Sequence, residues 1–116
     1  GPGETVPIRE GGHIVKKIAM IVKDIREELR GAEHYAKLAT QYKMDDVDLA
    51  DAYASMASQE LSHVDSLHSQ VVRVIKKHRA EGNIPPAGMM EVWNFEHERM
   101  VDSVAKVKML LEMYKK

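Results

Sequence analysis

At 116 residues with no cysteine and a formal net charge of −1 at pH 7, the chain suits a single domain without disulfides, thiolate metal sites or thiol nucleophiles. Hydrophobic residues make up 44% and charged residues 30% of the sequence, which is typical of a soluble globular protein. Basic and acidic residues are interleaved and no apolar run approaches about 18 residues, so the sequence predicts neither a nucleic-acid nor a membrane partner.

Apolar residues recur every three or four positions, the spacing of amphipathic helices, and the alternation typical of strands is absent. Two short breaks interrupt this pattern. Asp45 or Asp46 suits the N-cap of a helix that follows the first break. In the second break, Gly82 suits a helix end, and the pair Pro85 and Pro86 allows a new helix to begin. The sequence therefore predicts three helices, over residues 12–42, 47–79 and 87–114.

Short loops place consecutive helices antiparallel, so the predicted fold is all-α, a helical hairpin with a third helix. The domain is predicted over residues 12–116, and residues 1–11 are predicted to be a flexible N-terminal arm that begins with a cloning remnant. The predicted inner faces are Ile14, Ile18, Ile21, Ile25, Leu29, Ala32, Ala36 and Ala39 in the first helix, and Met89, Trp93, Glu96, Met100, Val104, Val107, Leu111 and Tyr114 in the third.

The second helix carries two charged or ionisable residues in its predicted inner stripe, which is Leu49, Tyr53, Met56, Glu60, His63, Leu67, Val71 and Val74. Glu60 and His63 lie one turn apart on one face. A buried carboxylate costs on the order of several kcal/mol unless it is paired or bound to a metal. Two structural alternatives stay open: a hydrogen bond between the two side chains, or a seam that is open enough to hydrate both.

The position of Glu28 strengthens the metal interpretation. Residues of an antiparallel hairpin that are equidistant from the loop centre face each other, and the midpoint of Glu28 and Glu60 is residue 44, in the first break. Two carboxylates and the imidazole of His63 are suited to iron, manganese or zinc. They form half of the ligand set of a bundle di-iron site, so a second chain related by a two-fold axis would complete it.

The third helix offers weaker candidates. Glu96 and His97 are predicted to lie about ten residues, or about 15 Å, from the level of the carboxylate pair. They are therefore secondary metal candidates, and a salt bridge to Arg73 or Lys77 is the favoured alternative. Glu33 is a further secondary candidate, placed to attract cations near a site entrance unless it is simply solvated.

These motifs resemble those of the ferritin-like superfamily. The likeness lies in the run Glu-Glu-Leu-Arg-Gly-Ala-Glu-His-Tyr at residues 27–35 and in Gln-Glu-Leu-Ser-His at residues 59–63. It is strongest to the encapsulated ferritins and to small ferritin-like proteins of bacterial and prophage genomes, which share the stretch at residues 93–98. The long third helix and the lack of a recognisable C-terminal targeting peptide depart from the encapsulated ferritins.

The resemblance implies a ferroxidase-type di-iron centre at a dimer interface. Glu28, Glu60 and His63 would be its ligands and catalytic groups, with Tyr35 beside them. Centres of this kind oxidise Fe(II) with dioxygen or peroxide. The implied fold is a four-helix bundle completed by dimerisation.

Two classes of function follow from the sequence. The first is a ferroxidase-like oxidase that forms a homodimer or a ring of dimers, in the cytoplasm or inside a protein shell. The alternative is a non-catalytic structural or interaction protein, of phage origin, in which a metal only cross-links subunits. The sequence leaves open whether the chain is an enzyme.

Overall fold

A computed structural model describes the backbone of residues 2–116 and the side chains of residues 12–116. These residues form three α-helices and no strand: α1 (Pro2–Tyr42), α2 (Val47–Ala80) and α3 (Ala87–Lys115). The predicted flexible arm, residues 1–11, lies outside the part that is described in full. None of the helices, as far as they are described, is long and apolar enough to cross a membrane.

Both breaks form where the sequence places them. The Asp46 carboxylate accepts a hydrogen bond from the Leu49 N–H at 3.1 Å, so it is the N-cap of α2. At the other end of α2, Gly82 adopts a φ of 85°, and its N–H donates to the Arg79 carbonyl oxygen at 3.0 Å. A residue with a β-carbon is strained at this φ, so glycine suits the end of α2.

α1 is the centre of the bundle. It packs against both α2 and α3, whereas α2 and α3 contact each other only slightly. The predicted inner face of α1 is buried except for Ile21, which is half-buried, and Val22 joins it. The predicted inner face of α3 is buried apart from Glu96 and Val104, which are half-buried. Helical periodicity therefore predicts these two faces well.

The inner face of α2 differs from the prediction. Its buried residues are Ala50, Ala57, Val64, Val71, Val74 and Ile75, so only Val71 and Val74 of the predicted stripe are buried. The other residues of the predicted stripe, Glu60 among them, lie beside this buried row and are half-buried or exposed. The reason is that small residues take the closest contact between α1 and α2, where Ala57 packs with Ala32 and Ala36, and bulkier side chains flank it.

The C-terminal end of α3 packs against the hairpin near the α1–α2 loop. The Tyr114 phenol donates a hydrogen bond to the Asp51 carboxylate, and Lys43 donates to the Tyr114 carbonyl oxygen. Tyr114 is buried with Ala39 and Ala50. These contacts hold α3 against both helices of the hairpin at this end of the bundle.

The hydrogen bond from the Tyr114 phenol to Asp51 gives a testable prediction. Together with burial, it raises the pKa of Tyr114 to about 12. The unfolded value is about 10, so the stabilisation is complete below about pH 10 and is lost as pH rises toward 12. We expect an ultraviolet titration to show a phenol that ionises near pH 12, absent from Tyr114→Phe and shifted to lower pH in Asp51→Ala. A step near pH 12 that persists in Tyr114→Phe would contradict the assignment.

Candidate metal centre

Three side chains from two helices converge on one point of the α1–α2 seam. Glu28 of α1 and Glu60 and His63 of α2 each offer one ligand atom, and these atoms lie within 4.8 Å of one another. His63 Nδ1 is 3.3 Å from Glu28 Oε2 and 3.8 Å from Glu60 Oε1. This proximity agrees with the register about residue 44, while the role of the three residues as metal ligands stays a prediction.

The cluster lies at an edge of the seam and is open to solvent. The side chains of Glu28 and Glu60 are 28% and 24% exposed, and that of His63 is 57% exposed. The premise that Glu60 is buried in an apolar stripe is therefore wrong. Of the two structural alternatives, the seam that is open to water agrees with these exposures. His63 also pairs with Glu28, at 3.3 Å.

The carboxyl groups of Glu28 and Glu60 are neighbours, with ligand atoms within 4.8 Å of each other. Their direct interaction lowers the pKa of Glu28 and raises the pKa of Glu60, while burial adds to the rise at Glu60 and partly offsets the fall at Glu28. The neighbouring His63 further lowers the pKa of Glu28. Two carboxylates this close resist being ionised together, so the pair retains one proton more readily than two isolated groups would. A divalent cation supplies the positive charge that otherwise comes from this proton, so the donor set fits a metal.

Gly31 makes room for one of these carboxylates. A β-carbon on Gly31 would lie 3.3 Å from Glu60 Oε2, closer than an ordinary van der Waals contact. Glycine inside a helix costs about 1 kcal/mol relative to alanine, so its position opposite Glu60 has a structural reason. The signal in the sequence is a glycine three residues after Glu28 in a long helix, but only the packing shows what it faces.

The tyrosine predicted beside the ligands packs farther along the hairpin. Tyr35 lies seven residues after Glu28, which is about 10 Å along the helix axis. Its ring stacks on Tyr53 of α2 with centroids 5.9 Å apart, and Tyr53 stacks in turn on Tyr42 at 6.3 Å. Tyr35 is therefore part of an aromatic row that continues from the cluster toward the α1–α2 loop.

Two of the secondary candidates are held by basic side chains of the α1–α3 contact. Glu96 forms a bidentate pair with Arg26, with distances of 2.8 and 3.2 Å. The expected partners of Glu96 on α2 were thus incorrect, because α3 packs chiefly on α1. Glu33 pairs with Lys106 of α3 at 2.5 Å. Neither carboxylate joins the three converging side chains.

The remaining secondary candidate, His97, lies in an aromatic cluster. Its ring centroid is 5.1 Å from that of His68 and 5.5 Å from that of Trp93. These stacked rings bridge α2 and α3 where few other contacts link the two helices. Within residues 12–116, the group of acidic and imidazole side chains close enough to share one ion consists of Glu28, Glu60 and His63.

Comparison with protein-family models, curated proteins and solved structures finds no match to this chain. The resemblance to ferritin-like proteins stays a prediction from the sequence motifs. The chemistry of the cluster follows from its donor atoms, their spacing and their exposure.

Proposed function

We propose that the chain is a di-iron carboxylate protein with ferroxidase-type activity, whose metal centre is shared between two copies of the chain. The observation that carries this proposal is the convergence of Glu28, Glu60 and His63 within 4.8 Å. A donor set of carboxylate oxygens and imidazole nitrogen suits iron, with manganese and zinc as alternatives. Bound iron would supply the electrons that reduce dioxygen or peroxide.

A second copy is needed because one chain supplies only half of the ligands. Di-iron sites in bundles use four carboxylates and two imidazoles, and the cluster has two and one. A two-fold axis beside Glu60 would bring a second, identical cluster to face the first. Because the cluster lies at an open edge of the seam, a partner hairpin has access to it.

The surface around the cluster supports burial against a partner. Tyr35, Tyr42, Tyr53 and Leu67 are half-buried, and Met56 is 37% exposed. The ion pairs that link α3 to α1 involve Arg26 and Glu33, so they leave Glu28 free of a partner from α3 among the described residues. Burial of such apolar area contributes about 25 cal/mol per Å², so a hairpin-to-hairpin dimer is the arrangement we propose. A ring of such dimers and a surrounding protein shell are larger assemblies compatible with it.

The chain's own groups have distinct roles in this proposal. Glu28 and Glu60 neutralise the charge of the cations, and their shared proton is released when a cation binds. His63 contributes a neutral nitrogen, and its 57% exposure provides an approach for Fe(II) from solvent. In the dimer, the tyrosines and Met56 would exclude bulk water from the centre.

The partly exposed apolar side chains around the cluster also favour a second candidate function. Here the metal only joins two hairpins, and the assembled dimer serves as a structural or interaction module. A structural site has all its coordination positions filled, whereas an oxidase keeps positions open for dioxygen. The two candidates therefore differ in turnover and agree in metal-dependent dimerisation.

One experiment tests both candidate functions, the oxidase and the structural module. Anaerobic apo-protein is titrated with Fe(II), air is admitted, and ferric absorbance, dioxygen uptake and native mass are followed together. We expect about one iron per chain, a metal-dependent dimer and consumption of dioxygen. A rise in melting temperature and a dimer without dioxygen uptake would favour the structural candidate, and no metal binding by the wild-type chain would contradict both.

The space at Gly31 gives a second prediction for this site. Gly31→Ala is expected to leave the fold as stable as before or slightly more so, because alanine favours helix by about 1 kcal/mol. The added β-carbon displaces the Glu60 carboxylate, so we expect Fe(II) affinity to fall about tenfold. Gly88→Ala is the matched control, since a β-carbon at this α3 position meets nothing within 4 Å. An equal loss of affinity in both variants would rule out the specific role of Gly31.

A further inference from the structure

A cavity lies at the end of the bundle that is far from the α1–α2 loop. Its volume is about 650 Å³, and it is bounded by the N-terminal part of α1, the last turns of α2 and the α2–α3 loop. Known binding sites for small molecules commonly occupy about 300–1,000 Å³. The ionisable residues that line this cavity are His13, Lys17, Arg73, Lys77, His78 and Glu81.

The charge of this cavity is opposite to that of the chain. Three permanent cations, Lys17, Arg73 and Lys77, line it with a single carboxylate, Glu81, whereas the whole chain has a formal charge of −1. Like charges repel when they are gathered at one place, so the cluster carries an electrostatic cost unless an anion neutralises it. The described ion pairs of residues 12–116 do not include any of these three cations.

Helix electrostatics explain only part of the cluster. Lys77 and His78 lie in the last turn of α2, where positive charge stabilises the carbonyl end of a helix. This reason does not extend to Lys17, which belongs to α1, or to Arg73, which lies more than one turn before the end of α2. These two side chains bring additional positive charge to the cavity from both of its helical walls.

Arg73 is held by a neighbour. Its Nε donates a hydrogen bond to Gln70 Oε1 at 2.8 Å. Among residues 12–116, the described hydrogen bonds of this guanidinium involve only Nε, so its terminal amino groups are available to a ligand. A guanidinium fixed at Nε is suited to donate two parallel hydrogen bonds to a phosphate.

We propose that this cavity binds a small phosphate-bearing anion. Arg73 donates paired hydrogen bonds to the phosphate, and Lys17 and Lys77 neutralise it from the two helical walls. The half-buried Asn83 adds an amide donor from the α2–α3 loop. The cavity is remote in sequence and structure from Glu28 and Glu60, so its ligand is independent of the metal function.

The test is a calorimetric titration of the 116-residue chain with pyrophosphate and, separately, with inorganic phosphate at low ionic strength. Pyrophosphate is expected to bind more tightly, because it carries more negative charge across a cavity of this size. The double variant Arg73→Gln, Lys77→Gln is expected to weaken pyrophosphate binding at least about tenfold, since it removes two charge-assisted donors.

The matched control is the double variant Lys23→Gln, Lys108→Gln, which makes the same change in net charge outside this cavity. It is expected to change pyrophosphate affinity less than about twofold. No binding of pyrophosphate by the wild-type chain at millimolar concentration would overturn the proposal. So would an equal loss in the two double variants, because binding would then reflect overall charge. Circular dichroism of both variants ensures that the folded proteins are compared.

Discussion

Glu60→Gln is expected to lower Fe(II) affinity by more than about a hundredfold and to abolish the metal-dependent dimer. The amide keeps the size of the side chain but removes the anionic oxygen that would bind the cation and share a proton with Glu28. Loss of a group that only orients a metal ligand lowers metal affinity about 10–100-fold, and loss of a ligand itself lowers it further. Anaerobic Fe(II) titration and native mass spectrometry measure both effects.

A matched substitution separates this effect from a general change in charge. Glu27 is exposed and precedes Glu28, yet it lies outside the cluster, so Glu27→Gln makes the same chemical change one residue away. We expect Glu27→Gln to bind iron and dimerise like the wild type. Wild-type affinity in Glu60→Gln would exclude Glu60 as a ligand, and equal losses in the two variants would point to non-specific cation binding.

The metal-free fold should tolerate the substitution at Glu60. This side chain is 24% exposed, and the neighbouring Glu28 carboxyl group, together with burial, raises its pKa, so the folded chain favours its protonated form. A neutral amide therefore removes a charge that the folded chain disfavours. We expect the melting temperature of the metal-free variant to equal or exceed that of the wild type, which makes the loss of iron binding specific to the site.

Ala57→Leu is expected to produce the largest loss of stability. Ala57 is fully buried where α2 packs against α1, and Ala32 and Ala36 face it in the same cluster. Three added carbon atoms have no space there, so side chains or helices must shift at a cost of about 1–3 kcal/mol. For a chain of this size this corresponds to a melting temperature about 5–15 °C lower, measurable by circular dichroism or calorimetry.

Ala52→Leu is the control for this prediction. It makes the same change at an exposed alanine of the same helix, where leucine costs little and favours helix about as well. We expect its melting temperature to stay near that of the wild type. Similar losses in both variants would show that the α1–α2 contact is not as close as the buried alanines indicate.

The same substitution connects packing with function. Ala57 lies one turn before Glu60, so a wider separation of α1 and α2 at this level would move Glu60 away from Glu28. We therefore expect Ala57→Leu to weaken iron binding even at temperatures where the variant is folded. Iron affinity equal to that of the wild type in folded Ala57→Leu would mean that the cluster does not depend on the helix spacing.

Local features of the sequence were sufficient to predict the helices and the position of the candidate site along the hairpin. Capping by Asp46, a glycine end at Gly82 and a start after Pro86 depend on a few adjacent residues, and the bounds of α2 and the start of α3 agree with these signals. Glu28 and Glu60 face each other because residues equidistant from a short loop are level in an antiparallel hairpin. Such statements need only the rise of a helix and the position of the loop.

Only the tertiary structure decided which side of α2 is buried and what surrounds the charged residues. Ala50 and Ala57 take the contact with α1 because close helix approach favours small side chains, whereas hydrophobicity along α2 favoured the bulkier neighbouring line. Contacts between distant residues likewise decide the pairing of Glu96 with Arg26 and the space that Gly31 leaves for Glu60. The sequence by itself thus determined the helices and brought the three candidate ligands to one level. The packing of α1 against two helices determined that the cluster lies at an open edge, because α3 covers the other side of α1.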